Sequence, residues 1–164
     1  MILVTVGTQK QSFRRLFDYI NEMNLKEDIV VQKGNIKYRF RQDIMVYDYL
    51  SFEEMDYYMK KARVIVTHGG GGTIFKALQL NKKVIVVPRL KKYGEHINNH
   101  QIEIANFLSN RKLCLVAYDK KELEKMITEI DNFIFKKYFS MELDFIHKIG
   151  NEINLLLENN EKDY

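Results

Sequence analysis

Runs of four or five apolar residues alternate along this chain with segments whose apolar residues recur every three or four positions. The first pattern predicts strands buried on both faces, and the second predicts helices with one buried side. Ile2 to Val6 reads as a strand, after which Phe13, Leu16, Phe17, Ile20 and Met23 fall on a single helical stripe. Ile29 to Gln32 and Ile44 to Tyr47 are the next strands. Ser51-Phe52-Glu53-Glu54 matches a capping box, in which the hydroxyl and the carboxylate satisfy each other's backbone donors, and it opens a helix to about Lys61. Val64 to Thr67 is a strand that ends at His68 and four glycines, and Ile74, Ala77, Leu78 and Leu80 carry a short helix that stops at Asn81. Val84 to Val87 is a strand closed by Pro88, Ile97 to Leu108 has a helical pattern, and Leu113 to Ala117 is a strand. Asp119 with Glu122 caps a helix carrying Leu123, Met126, Ile127 and Ile130. Past a break near Lys136-Lys137, the apolar positions Phe139, Leu143, Ile146, Ile149, Ile153, Leu156 and Leu157 trace a long amphipathic helix.

Strands that are apolar on both faces and joined by helices require a parallel sheet covered on each side. The expected fold is therefore α/β: a doubly wound, mostly parallel, Rossmann-like sheet with an appended C-terminal amphipathic helix. Residues 1–138 form the expected domain, and 139–164 the helix, which packs on that domain or on a partner. At 164 residues the chain is long enough for one core and too short for two catalytic domains.

Charge narrows the function less than pattern does. Lys and Arg exceed Asp and Glu by 26 to 22, and the sequence pI is about 9.0. The basic residues fall in separated pairs such as Arg14-Arg15, Lys60-Lys61 and Lys91-Lys92, without the block of like charge that marks a nucleic-acid tail. A solvated basic surface is the reading, with no nucleic-acid partner. The single cysteine, Cys114, excludes an intrachain disulfide and a cysteine-cluster zinc site, and its apolar neighbours read it as buried. With no basic leader at the N-terminus and no apolar run near ~20 residues, the expectation is a cytoplasmic protein.

The chemistry concentrates where strands end. A strand passing through His68-Gly69-Gly70-Gly71-Gly72-Thr73 directly into a helix aims unpaired amides and the positive end of the helix dipole at one point. Such a point binds anions, phosphate above all. The alternative is a glycine turn without a ligand. There is no G-x-x-x-x-G-K-[ST], so a P-loop is excluded, and the third glycine of a dinucleotide fingerprint is missing. The loop from Pro88 through Arg89, Tyr93, Glu95, His96, Asn98, Asn99 and His100 to Gln101 lies at the same edge and offers hydrogen-bonding groups suited to sugar hydroxyls, or is simply a solvated loop. Gly7-Thr8-Gln9 faces that edge too. His96 and His100 stand four apart without a supporting carboxylate cluster, so no metal site is expected. His68 reads either as a ligand contact or as a packed strand-end residue.

At these residues the chain resembles the glycosyltransferase family 28 C-terminal domain, the donor-binding half of transferases with two Rossmann-like domains. Val4-Thr5-Val6-Gly7-Thr8, Thr67 through Thr73, and Pro88 through His96 with His100-Gln101 carry the resemblance, which covers about residues 1 to 130. The chain looks most like the stand-alone version in bacterial capsule and exopolysaccharide clusters. The eukaryotic two-subunit UDP-N-acetylglucosamine transferase of dolichol-linked oligosaccharide synthesis is similar.

The resemblance implies that Gly7, Thr8, Gly69, Gly70, Gly71, Gly72 and Thr73 approach the diphosphate of a UDP-sugar. Asn99, His100 and Gln101 would lie near the sugar, and His68, Lys76, Arg89, Tyr93, Glu95 and His96 complete the implied substrate-binding set. It also implies inversion at the anomeric carbon without a metal or other cofactor, and a membrane-associated partner subunit that binds a lipid-linked acceptor and supplies the general base. That partner would recruit the chain to the inner face of the membrane. Where relatives carry a ribose-binding glutamate three residues after the glycine-loop Ser or Thr, this chain has Lys76, and Asn98-Asn99 stand where acids are common. A non-catalytic accessory subunit is the alternative reading, and a UDP-sugar epimerase is disfavoured by length.

Overall fold

The structure, a computed structural model, describes residues 1–138. Six strands, β1 (Ile2–Thr5), β2 (Ile29–Gln32), β3 (Ile44–Tyr47), β4 (Val64–Thr67), β5 (Lys83–Val86) and β6 (Leu115–Val116), form one sheet in the order β3-β2-β1-β4-β5-β6. Every neighbouring pair is parallel. The connections carry α1 (Arg14–Glu22), α2 (Phe52–Lys61), α3 (Gly71–Gln79) and α4 (His100–Asn110), and α5 (Lys120–Glu129) follows β6.

Alternation along the strands sorts two cores onto the two faces. Ile2, Val4 and Val6 pack with Leu16, Phe17 and Ile20 of α1 and Leu123 and Ile127 of α5. Leu3, Ile65, Val84 and Val86 face the other way, against Met59 of α2, Ile74, Ala77 and Leu78 of α3, and Ala105 and Leu108 of α4. The expected α/β doubly wound sheet is therefore the observed one. Cys114 is buried in the second core, where the apolar surroundings push its thiol up to about 12.

The strand order places a switch point between β1 and β4, because the chain first winds outward to β3 and then crosses back to build β4, β5 and β6. In open parallel sheets the crevice at the carboxyl ends of two such strands is where ligands sit. Thr5 and Thr67 pair directly there, so the loops after β1 and β4 leave the sheet side by side.

Two local expectations shift. Helix α4 begins at His100 rather than Ile97, because Asn98 takes the His100 amide on its side chain and Ile97 is 73% exposed. The last strand shortens from the expected Leu113–Ala117 to Leu115–Val116, since the Leu113 amide turns back to Leu108. The expected helix over 139–157 lies outside the described residues. Among the described residues no helix is long and apolar enough to cross a membrane.

Candidate functional site

The four consecutive glycines do different work. Gly69 has φ +89°, a conformation strained for any side chain, and a Cβ there would lie 3.1 Å from Cβ of Gln101. Gly70 is the N-cap of α3 and has no side chain with which to cap it. Gly71 and Gly72 form the first turn of α3, whose leading amides have no partner inside the helix. A Cβ on Gly72 would meet nothing within 4 Å. The loop thus delivers an uncapped positive helix end, with an open approach over Gly72, to the switch point.

His68 explains two of the glycines in the vicinity. Its ring is 6% exposed and lies between Gly7 and Gly70. A Cβ would come within 2.6 Å of the ring at Gly7, which also has φ +68°, and within 2.5 Å at Gly70. Burial, reinforced by the charges of Arg89 and His96, lowers its pKa from 6.5 to about 4, so the ring is neutral at physiological pH. It is a wedge that sets the distance between the loops after β1 and β4. Thr5 and Gln32 hold the first of these loops from below: Gln32 Nε2 donates to the Gly7 carbonyl at 3.1 Å, and the Gly7 amide donates to Thr5 Oγ1 at 3.4 Å.

The loop after β5 splits into an interior and a rim. Arg89 is wholly buried, Glu95 is 4% exposed and Gln101 6%. Glu95 forms a two-pronged pair with Arg15 at 2.8 and 2.9 Å and accepts the Leu90 amide at 2.9 Å. Gln101 Oε1 accepts the Arg89 amide at 3.1 Å. These three side chains therefore shape the loop from inside. On the rim, Tyr93 is exposed beneath the cations of Arg15 and Lys92, Asn99 accepts the Lys91 amide, and His100 faces Asn98 at 3.3 Å. His96 meets Gln9 at 3.3 Å, tying this rim to the loop after β1.

Beside the switch point lies a cleft of about 310 Å³. Gly7, Thr8, Gly72, Thr73 and Lys76 line one wall, and Gln32, Tyr49, Leu50, Phe52 and Met55 line the other. Lys76 Nζ stands 3.9 Å over the Phe52 ring and 3.5 Å from Asp56 Oδ1. Lys76 lies in the last turn of α3, where a cation suits the helix dipole, and the Asp56 carboxylate and the Phe52 ring face hold its ammonium against α2. Of the implied set, the structure brings Gly7, Thr8, Gly72, Thr73 and Lys76 onto one cleft. It puts His68, Gly69, Gly70, Gly71, Arg89, Glu95 and Gln101 beneath or beside it, and Tyr93, His96, Asn99 and His100 on the neighbouring rim.

Pattern reading missed the second wall. Gln32 carried a signal, as the polar end of an apolar strand at the ligand edge. Tyr49, Leu50 and Phe52 carried none beyond following β3. Arg15 read as one member of a scattered basic pair, and its partner Glu95 is 80 positions away.

Comparison with known proteins agrees with the fold. A curated relative from Candida albicans, UDP-N-acetylglucosamine transferase subunit ALG13, is 33% identical over 90 residues, which cover 55% of this chain. The matched stretch spans 28% of that relative's length. Among solved structures, the calicheamicin glycosyltransferase CalG4 superposes with a TM-score of 0.60 at 14% identity, covering 78% of this chain and 34% of that one. A UDP-GlcNAc 2-epimerase from Methanocaldococcus jannaschii gives 0.58 at 17% identity, covering 96% of this chain and 45% of that one. At such identities these two structures share the fold alone. The sequence model of the glycosyltransferase family 28 C-terminal domain matches residues 1–154, nearly the whole chain, and the chain belongs to that family.

Proposed function

We propose that this chain is the donor-binding, catalytic subunit of a two-component inverting glycosyltransferase, acting with a membrane-associated subunit that binds a lipid-linked acceptor in capsule or exopolysaccharide synthesis. The observation that carries the reading is the uncapped start of α3, open over Gly72 at the β1–β4 switch point and facing a cleft with Gly7, Thr8, Thr73 and Lys76. A diphosphate suits the amides at that helix end, and a nucleoside suits the remainder of the cleft, where Tyr49 and Phe52 offer ring faces. Similarity to the Candida albicans relative, a UDP-N-acetylglucosamine transferase subunit, favours a UDP-hexose donor and a partnered arrangement.

In the proposed reaction an acceptor oxygen attacks the anomeric carbon as the bond to the diphosphate oxygen breaks. The amides of the first α3 turn and the helix dipole stabilise the negative charge that grows on the leaving UDP. The sugar lies toward Asn99 and the first residues of α4, His100 and Gln101. The acceptor's proton leaves to a base on the partner subunit, which also holds the cytoplasmic chain at the membrane.

Lys76 favours a second reading, an accessory subunit without nucleotide binding, because it occupies the position of a ribose-binding carboxylate. Thermal melting against UDP, UDP-sugars, uridine and other nucleotides separates the two. The catalytic reading expects a UDP-selective rise in Tm that Gly72→Asp abolishes, since an aspartate in the first helical turn is compatible with the helix and occupies the anion's place. The reading is lost if no nucleotide shifts Tm and a reconstituted pair transfers sugar equally well with Gly72→Asp.

A further inference from the structure

Arg89 lies entirely inside the protein, and its bonds join two loops and the start of α4. Nη1 donates to the Gln11 carbonyl at 2.8 Å and the Glu95 carbonyl at 3.2 Å, and Nη2 donates to the Val6 carbonyl at 3.1 Å. Val6 and Gln11 both belong to the loop between β1 and α1, and Glu95 belongs to the loop after β5. The guanidinium carbon stands 4.7 Å over the Phe13 ring. The Arg89 amide donates to Gln101, the side chain that packs against Gly69 of the glycine loop.

A buried cation is costly, and the usual compensation is a carboxylate partner. Among the described residues Arg89 forms no ion pair, since the Glu95 carboxylate is taken by Arg15 and the Leu90 amide. Its Nε has no partner either. An apolar side chain of similar volume would fill the same space more cheaply if packing were the only requirement. What such a side chain lacks is a rigid fork able to hold three carbonyls at once.

We propose that Arg89 is a positioning residue for the donor site: its fork fixes the Gly7–Gln11 loop against the loop after β5, so that the cleft keeps its shape before ligand arrives. The role in donor binding rests on the function proposed above, whereas the effect on the loop does not.

The test compares Arg89→Met and Arg89→Lys with the unaltered chain by amide hydrogen exchange and by UDP titration. In Arg89→Met, exchange rises at residues 7–12 while β2 and β3 amides keep their protection, and UDP binds at least tenfold more weakly. Arg89→Lys keeps the charge but spans fewer carbonyls, so both effects are intermediate. Wild-type loop exchange and UDP affinity in a folded Arg89→Met overturn the proposal. If Arg89→Met does not fold, Arg89→Lys decides: a rise confined to residues 7–12 supports the role, and a uniform rise across the sheet overturns it. If the unaltered chain binds no UDP but the loop still loosens selectively, the donor reading fails and the positioning role stands.

Discussion

His68 shows how one side chain distributes conformational demands over distant positions. Its ring takes the space that Cβ atoms at Gly7 and Gly70 would need, so these glycines serve packing while Gly72 serves access. Gly70→Ala should therefore lower Tm measurably, whereas Gly72→Ala should leave it unchanged or slightly higher, alanine being the better helix former by about 0.5–1 kcal/mol. Differential scanning calorimetry on the two variants checks the contrast. Burial holds the folded-state pKa of His68 near 4 against 6.5 for an exposed ring. The unfolded state then binds the proton more readily, so His68's contribution is complete above pH 6.5 and is lost as pH falls toward 4. The full difference is about 3 kcal/mol. Denaturant titrations of the chain and of His68→Asn between those limits should show the steeper acid loss in the unaltered chain, and parallel curves would contradict it. The sequence marked all four glycines together as an anion loop. It did not show which of them packs and which opens, because the deciding contacts come from His68 and Gln101, the latter about 30 residues away.

Helices and strands were legible where local chemistry fixes them. Ser51 and Glu54 form the expected reciprocal cap of α2, and Asp119 accepts the Glu122 amide at the start of α5. Asn81, expected to stop α3, has φ +52° just past its end. Ser51→Ala should cost about 1 kcal/mol by loss of the cap, read from the shift of a urea unfolding midpoint at unchanged slope. Because α2 carries Phe52 and Met55 on the cleft, the same variant should weaken nucleotide binding more than an equally destabilising change in α5. Boundaries failed where tertiary contacts overrule periodicity. Ile97 continues the helical stripe in sequence, yet it sits in a loop held by the Asn98 and His96 side chains. Lys76 falls in the last turn of α3, and the groups that hold it, Asp56 and Phe52, belong to α2 and have no sequence signature of their relation to it.

At the scale of the whole molecule, the order β3-β2-β1-β4-β5-β6 creates a single switch point, and the glycine loop, the Gly7 loop and the aromatic wall after β3 converge on it. The parallel order was readable from strands apolar on both faces, but the second wall of the cleft was not, since only the fold brings Tyr49 and Phe52 opposite Gly72. The proposed function predicts that this chain binds nucleotide alone and transfers sugar efficiently only with a partner subunit. Radiolabel transfer to a lipid-linked acceptor, with and without the partner, checks that dependence, and equal rates would refute it. The most direct measurement of the central claim is the amide NMR spectrum of the chain titrated with UDP and, separately, with uridine. The account predicts UDP-dependent shifts at Gly7, Thr8 and Gly71 to Thr73 that uridine alone does not reproduce at Gly71 and Gly72. Shifts absent from those amides, or confined to the opposite end of the sheet, would contradict it.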